Sequence, residues 1–116
     1  MSDISKLTKR IIDFRDARDW KQFHNPKDLA LSLVLEASEV MEHFQWKNPK
    51  EIDEYIKTNK ADIADELADT LYWVLLMSSD LGINIRKALE TKLEKNEAKY
   101  PVEKSKGKHV KYDKLK

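Results

Sequence analysis

Apolar residues recur every three or four positions along most of this chain, which is the spacing of amphipathic α-helices. The pattern predicts long helices at about residues 4–19, 26–46, 58–81 and 84–99, and a short one at 48–56. No segment has the alternating pattern of a β-strand. Short connections between helices favour antiparallel neighbours. The sequence therefore predicts an all-α fold, a four-helix bundle with one extra short helix and a basic C-terminal tail.

Capping residues mark the predicted helix boundaries. Asn25 stands before a proline that suits the first helical position, and Asn48 with Glu51 forms a capping-box pattern. Gly82 supplies a left-handed stop after the fourth predicted helix. The remaining boundaries are predicted at Thr58 or Asn59, at Asn84 and at Tyr100.

Two of the long helices carry a pair of acids beside the apolar face. Glu36 and Glu39 lie in LVLEASEVMEHFQW, and Glu66 and Asp69 lie in IADELADTLYW. On a helical wheel, each pair falls at the edge of an apolar arc and on the same flank of its helix. These arcs are the predicted core, formed by Leu29, Ala30, Leu33, Val34, Ala37, Val40, Met41 and Phe44 on one helix and by Ile63, Ala64, Leu67, Thr70, Leu71, Val74 and Met77 on the other.

Four carboxylates that meet in one groove would repel one another unless a cation neutralised them. An all-oxygen set of ligands favours Mg²⁺, with Mn²⁺ as the alternative, over Zn²⁺. Dinuclear oxygen-activating bundles need a Glu-x-x-His pair on two helices, but the corresponding positions here are Glu39 and Asp69. The pattern thus indicates Mg²⁺-assisted phosphate chemistry. From spacing alone, the plainer interpretation as surface acids paired with lysines stays open.

Composition narrows the class of protein. With 116 residues the chain has the size of one domain, predicted at residues 1–101, followed by a tail at 102–116. Six lysines against two acids make that tail basic, and a solvated, poorly ordered end is the expectation. The chain has no cysteine, no secretory signal pattern and no apolar run of about 18 residues. We expect a cytoplasmic protein without a membrane partner.

Several motifs in order resemble a known family. The segment ARDWKQFHNPKDL precedes the first acidic pair, FQWK follows it, and K-x-x-x-N-x-x-K-Y-P ends the last helix. With E-x-x-E on one helix and E-x-x-D on a later one, they resemble the all-α nucleoside triphosphate pyrophosphohydrolases of the MazG-like superfamily, dCTP pyrophosphatase branch. The resemblance covers about residues 14–101.

This resemblance implies a MazG-like bundle that cleaves a nucleoside triphosphate, dCTP or a modified dCTP, to monophosphate and pyrophosphate with Mg²⁺. It implies metal ligands at Glu36, Glu39, Glu66 and Asp69. As a hypothesis of our own about the mechanism, Glu36 or Glu39 activates the attacking water. It also implies a homo-oligomer, a dimer or a dimer of dimers, with sites built between subunits. The implied base contacts are Trp20, His24, Trp46, Trp73 and Asn96, and the implied phosphate contacts are Lys92, Lys99 and Tyr100.

Two other functions compete with this interpretation. A pyrophosphohydrolase that removes other or many nucleoside triphosphates from the pool would share the chemistry and differ in the base pocket. A non-enzymatic helical module that binds nucleic acid through the basic tail would show steep salt dependence and no hydrolysis. A third alternative is a relative that has lost its activity, and the complete acidic quartet argues against it. We do not expect nucleic acid as a partner.

Overall fold

The computed structural model describes residues 2–116, and its regular structure is entirely helical, which confirms the all-α prediction. The helices are α1 (Asp3–Ala17), α2 (Pro26–Glu42), α3 (Pro49–Asp80), α4 (Ile85–Lys99) and α5 (Val102–Ser105). Two 3-10 turns lie at Lys21–Phe23 and Tyr112–Lys114. Over residues 2–116, no helix combines the length and apolar character needed to cross a bilayer.

Asparagine caps fix the starts of α2, α3 and α4, as their sequences predict. The side chains of Asn25, Asn48 and Asn84 each accept a hydrogen bond from the backbone N–H three residues further on. The Glu51 carboxylate accepts a bond from the Asn48 N–H in return, which completes the capping box. After α3, Gly82 has a φ of 68°, a left-handed conformation that glycine adopts without strain.

The predicted boundary at Thr58 or Asn59 coincides with a kink at which two helical segments of α3 meet. Asn59 has the non-helical angles φ −123° and ψ 17°, and the helix continues beyond it. Its side-chain amide donates to the carbonyl oxygen of Tyr55 at 2.9 Å. One distorted residue with a side chain that satisfies a freed carbonyl bends a helix without ending it. The segment predicted as a short helix at 48–56 is therefore the first part of α3.

The first three helices form a compact unit that ends at Gly82, in which α1 and α2 both pack against α3. The His43 ring, just past the end of α2, hydrogen-bonds the Tyr55 hydroxyl near the start of α3, so these two helices are antiparallel. The deeply buried side chains of the described residues include Leu29 of α2 with Leu75 and Leu76 of α3. Antiparallel packing brings the acidic flanks of α2 and α3 to one side.

Part of the predicted core is exposed. Val34 and Met41 on α2 are 63% and 64% exposed, and Leu67 and Leu71 on α3 are 54% and 50% exposed. The prediction that the whole apolar arc is buried is wrong for this single chain. The arcs are wider than one neighbouring helix can cover, so each leaves an apolar margin facing outward.

Residues 83–116 form a second compact unit, which contains α4, α5 and the basic tail. Asn84 caps α4, and the helix ends at Lys99 with Tyr100 as its C-cap. The tail is largely exposed, as its composition predicts, but it has more regular structure than the poorly ordered end that was expected. It contains α5 and a 3-10 turn, and Tyr112 contacts Tyr100.

Candidate metal and nucleotide site

Three carboxylates converge where α2 faces α3. Carboxylate oxygens of Glu36, Glu39 and Glu66 all lie within 4.8 Å of one another. Glu36 and Glu39 are one turn apart on α2, and Glu66 lies opposite them on α3. Asp69, one turn beyond Glu66, lies outside this trio but lines a cavity together with Glu36. The structure thus brings all four predicted ligands to one side of the first unit.

The crowding of negative charge raises the pKa values of two of these carboxyl groups. Burial raises the pKa of Glu36, and a hydrogen bond with Glu39 together with its charge acts in the same direction. The hydrogen bond between the carboxyl groups of Glu39 and Glu66 raises the pKa of Glu66 to about 7, with burial and the neighbouring acids adding to it. Raised pKa values are the expected result of clustering carboxyl groups without a cation.

The donor set fits a hard divalent cation. The Oε2 atoms of Glu36 and Glu66 are buried and have no hydrogen-bond partner among residues 2–116. A buried oxygen without a donor is costly, and a bound cation would satisfy both atoms. Carboxylate oxygens alone suit Mg²⁺ or Mn²⁺. Glu36, Glu39 and Glu66, with Asp69 beside them, are the residues that could hold it.

An aromatic cavity opens next to the carboxylates. It has a volume of about 580 Å³, and Glu36 and Asp69 form part of its wall. The aromatic rings in its wall meet edge to face. The ring centroids of Phe14 and Trp20 are 5.7 Å apart, and those of Tyr72 and Trp73 are 5.1 Å apart. The full lining is Leu7, Arg10, Ile11, Phe14, Trp20, Glu36, Asp69, Tyr72 and Trp73. This volume and lining suit a planar heterocycle held beside a charged group.

His24 lies behind Trp73, with the two rings edge to face and 5.6 Å between centroids. Burial lowers the pKa of His24, and the charge of Arg15 lowers it further. The Arg15 guanidinium lies 3.4 Å from His24 Nδ1, and because arginine can only donate, Nδ1 is the acceptor. The histidine is then neutral with its proton on Nε2. It also lines a second cavity, of about 430 Å³, with Arg15, Lys21 and Asp80.

Trp46 has a different position from the other two tryptophans. It follows α2, its φ is 74°, and its side chain is 91% exposed. It lines neither the aromatic cavity nor the cavity beside His24. A left-handed backbone is uncommon for a residue other than glycine, and here it accompanies a large aromatic side chain that is exposed to solvent.

The remaining predicted contacts lie in the second unit. Lys92, Asn96 and Lys99 follow one another along one face of α4 by spacings of four and three residues. The Asn96 carbonyl accepts a hydrogen bond from the Tyr100 N–H at 2.8 Å. The Lys99 ammonium lies 4.8 Å from the centre of the Tyr112 ring.

Sequence reasoning missed several residues of the aromatic cavity. Phe14 and Tyr72 are not among the predicted contacts, although both line the cavity. Arg10 was missed too, although it makes no ion pair with any other residue of the described chain. The spacing of Leu7, Ile11 and Phe14 already marks one face of α1, and Arg10 adjoins it.

Comparison with known proteins adds independent information. Residues 31–115 match the model of the MazG-like family. The chain is 34% identical to dCTP pyrophosphatase 1 of Rattus norvegicus and 31% identical to dCTP pyrophosphatase 1 of Homo sapiens. Each alignment covers 99% of this chain and 67% of the relative. The fold is similar to the crystal structure of a pyrophosphatase from Archaeoglobus fulgidus, with TM-score 0.81 and 36% identity over 87% of this chain and 94% of the other.

Proposed function

This chain belongs to the MazG-like family and is a nucleotide pyrophosphohydrolase, and we propose that it cleaves dCTP or a modified dCTP in a Mg²⁺-dependent reaction. The products are the nucleoside monophosphate and pyrophosphate. One observation carries the proposal: of three clustered carboxylates, two of which have unsatisfied buried oxygens, Glu36 also lines an aromatic cavity of about 580 Å³ together with Asp69. We also propose a cytoplasmic location, which the lack of cysteine supports.

Glu36, Glu39, Glu66 and Asp69 are the proposed metal ligands. When bound there, Mg²⁺ would neutralise the acids and offset the charge that develops on the phosphate oxygens. Glu66 must lose its proton to become a ligand, so its raised pKa makes metal binding depend on pH. The trio alone supplies too few donors for six-coordinate Mg²⁺, which leaves room for phosphate and water oxygens.

The attacking group is water. We assign its orientation and deprotonation to Glu36 or Glu39. The carboxylate of Glu36 belongs to the acidic cluster and also lines the aromatic cavity, and Glu39 lies one turn further along α2. The water oxygen bonds to the α-phosphorus, on the nucleoside side of the α–β bridge, and the carboxylate takes the water proton. The bridging P–O bond breaks, and the pyrophosphate leaves with the electron pair.

The aromatic cavity is the proposed base site. Trp20 and Trp73 offer ring faces and edges to a planar base, since stacking is worth about 1–3 kcal/mol for each base. His24 supports Trp73 from behind and lines the neighbouring cavity, and it is assigned to the base by resemblance. Asn96 is assigned to the base edge by resemblance, and Lys92, Lys99 and Tyr100 are assigned to the phosphates.

A homo-oligomer, as a dimer or a dimer of dimers, is the proposed working form. The exposed apolar margins of α2 and α3 support it, because a second copy could cover Val34, Leu67 and Leu71. An oligomer would also give Trp46 a role. A side chain that is 91% exposed in one chain could stack on a base bound in the neighbouring copy.

Pyrophosphate release from a panel of nucleoside triphosphates, with and without Mg²⁺, tests this function. We expect dCTP or a modified dCTP to be cleaved fastest and EDTA to abolish release. Equal rates for many bases would favour the broader pool-cleaning hydrolase, and no release from any triphosphate would refute the enzyme.

Two glutamine variants of α2 sharpen the same test. Glu39→Gln removes a carboxylate of the cluster and should abolish turnover while the protein remains helical. Glu42→Gln removes an exposed acid from the end of the same helix and should leave turnover unchanged. A fully active Glu39→Gln enzyme would show that the carboxylate cluster is not the reaction centre.

A further inference from the structure

The lysine-rich tail turns back toward the end of α4. After α5, Gly107 has a φ of 77°, which lets the chain reverse, and the Lys108 N–H donates to the Ser105 carbonyl at 3.0 Å. The chain then enters the 3-10 turn at Tyr112–Lys114. The reversal places Tyr112 against Tyr100, twelve positions earlier in the sequence.

Tyr112 makes three contacts with the end of α4. Its backbone N–H donates to the hydroxyl oxygen of Tyr100 at 3.2 Å. The two tyrosine rings meet edge to face, with centroids 6.2 Å apart and planes at 85°. The ammonium group of Lys99 lies over the Tyr112 ring, 4.8 Å from its centre.

These contacts hold the Lys99 ammonium and the Tyr100 hydroxyl in place, and they neither neutralise the ammonium charge nor occupy the hydroxyl proton. A ring face attracts an ammonium ion but carries no net charge, so Lys99 remains a cation. Lys99 forms no salt bridge with any acid in the described residues. The Tyr100 oxygen accepts a bond from Tyr112, so its own O–H stays free to donate. The surroundings are cationic, with eleven Lys and Arg against five Asp and Glu in residues 83–116.

We propose that Tyr112 is a positioning residue that orders Lys99 and Tyr100 for contact with the triphosphate. This inference rests on the phosphate-binding role given to Lys99 and Tyr100 in the proposed function. Ordering a long side chain before the ligand arrives removes part of the entropy cost of binding. The tail then affects substrate binding through the ring of Tyr112, and its lysines contribute only a general positive potential around the site.

Steady-state kinetics with dCTP and Mg²⁺ test this role. Tyr112→Ala should raise KM about 3- to 10-fold, the effect expected from freeing one or two ordered side chains, with kcat within about twofold. Tyr112→Phe should restore the wild-type KM, because the ring and the backbone N–H are both kept. Gly107→Ala strains the left-handed turn and should raise KM in the same way while Tyr112 stays intact.

Lys108→Ala is the matched control, since it removes one tail charge without touching the Tyr100–Tyr112 pair. Its KM should equal that of the wild-type protein. A wild-type KM in Tyr112→Ala, a fall in kcat alone, or an equal rise of KM in Lys108→Ala or Tyr112→Phe would overturn the inference.

Calorimetric titration with pyrophosphate and Mg²⁺ separates this inference from the proposed function. If the wild-type protein hydrolyses no triphosphate, the proposed function fails, but a weaker Kd for pyrophosphate in Tyr112→Ala alone still supports the positioning role. Equal Kd values overturn it. A wild-type protein that neither hydrolyses triphosphates nor binds pyrophosphate overturns both proposals.

Discussion

The guanidinium of Arg15 and the carboxylate of Asp80 are joined by two hydrogen bonds, of 2.6 and 2.9 Å, which link the end of α1 to the end of α3. Arg15 is only 2% exposed, and the bond with Asp80 raises its pKa further. The same guanidinium contacts His24. This ion pair therefore fixes α1 against α3 and sets the histidine behind Trp73.

Asp80→Asn should destabilise the protein by about 3 kcal/mol, because it leaves a buried guanidinium with only the more distant carboxylate of Asp16, 3.7 Å from its Nε. Urea unfolding followed by circular dichroism measures the loss. The matched control is Asp13→Asn, which breaks the exposed pair with Lys9 and should cost less than about 1 kcal/mol. Similar losses in the two variants would contradict a special role for the buried pair.

Metal-free protein should lose stability as the pH rises from about 5 to about 8. Folding raises the pKa of Glu66 to about 7, so its contribution is present below the ordinary glutamate pKa and is lost as the pH rises through the raised value. Mg²⁺ competes with that proton, so it should raise Tm more at about pH 8 than at about pH 5. Thermal melts with Mg²⁺ or EDTA measure both effects.

Glu66→Gln is the control for this pH dependence. The amide does not titrate, so the metal-free melts should vary less with pH than those of the wild-type protein. The variant should also lose most of the Mg²⁺ response, because one ligand is gone. An unchanged pH slope would show that other groups cause it.

Trp73→Ala should raise KM for dCTP about 5- to 100-fold, the cost of losing one stacking surface. Trp73 lines the aromatic cavity and also touches Tyr72 and His24. Phe23→Ala removes an aromatic side chain that is 65% exposed and outside that cavity, and its KM should stay at the wild-type value. Equal KM values in the two variants would show that the base does not bind in the aromatic cavity.

Mixed oligomers test whether Trp46 contributes to the active site of the neighbouring copy. Glu39→Gln and Trp46→Ala should each lower activity alone. Co-expressed, they should regain roughly a quarter of wild-type activity, because half of randomly paired dimers would contain one intact site of two. If Trp46 served its own chain, every site would carry a defect and mixing would restore nothing.

Arg10→Ala should raise KM about 10-fold, since a charge-assisted bond to the nucleotide would be lost. Arg10 lines the aromatic cavity and forms no ion pair within residues 2–116. Lys9→Ala, the adjacent residue paired with Asp13, removes the same charge away from the cavity and should have a wild-type KM. A similar KM for both variants would assign the effect to net charge.

Local rules predicted much of the fold. The caps at Asn25 and Asn48 and the stop at Gly82 depend on backbone groups within a few residues, so the sequence contains everything that determines them. The acidic site was predictable for a related reason. A helical wheel places Glu36, Glu39 and Glu66 on matching flanks, and antiparallel packing of α2 and α3 then suffices to bring them together.

Features that depend on distant partners were not predictable. Arg15 looks like a surface residue until Asp80, 65 positions away, is placed beside it. Tyr112 lies in a segment whose lysines indicate disorder, and its contact with Tyr100 depends on the reversal at Gly107. The exposed margins of α2 and α3 escaped prediction because periodicity shows which residues are apolar but does not reveal which partner covers them.

Those apolar margins have a consequence for the amount of working enzyme. The deeply buried apolar side chains of the described chain are Leu29, Leu75 and Leu76, and many other apolar residues are half-buried or exposed, so a lone copy buries only part of its apolar surface. If a second copy covers the margins, folding and assembly become one equilibrium and the midpoint of unfolding shifts with protein concentration. Activity would then have a threshold: a cell making too little of this chain would lose the enzyme altogether, and not merely in proportion.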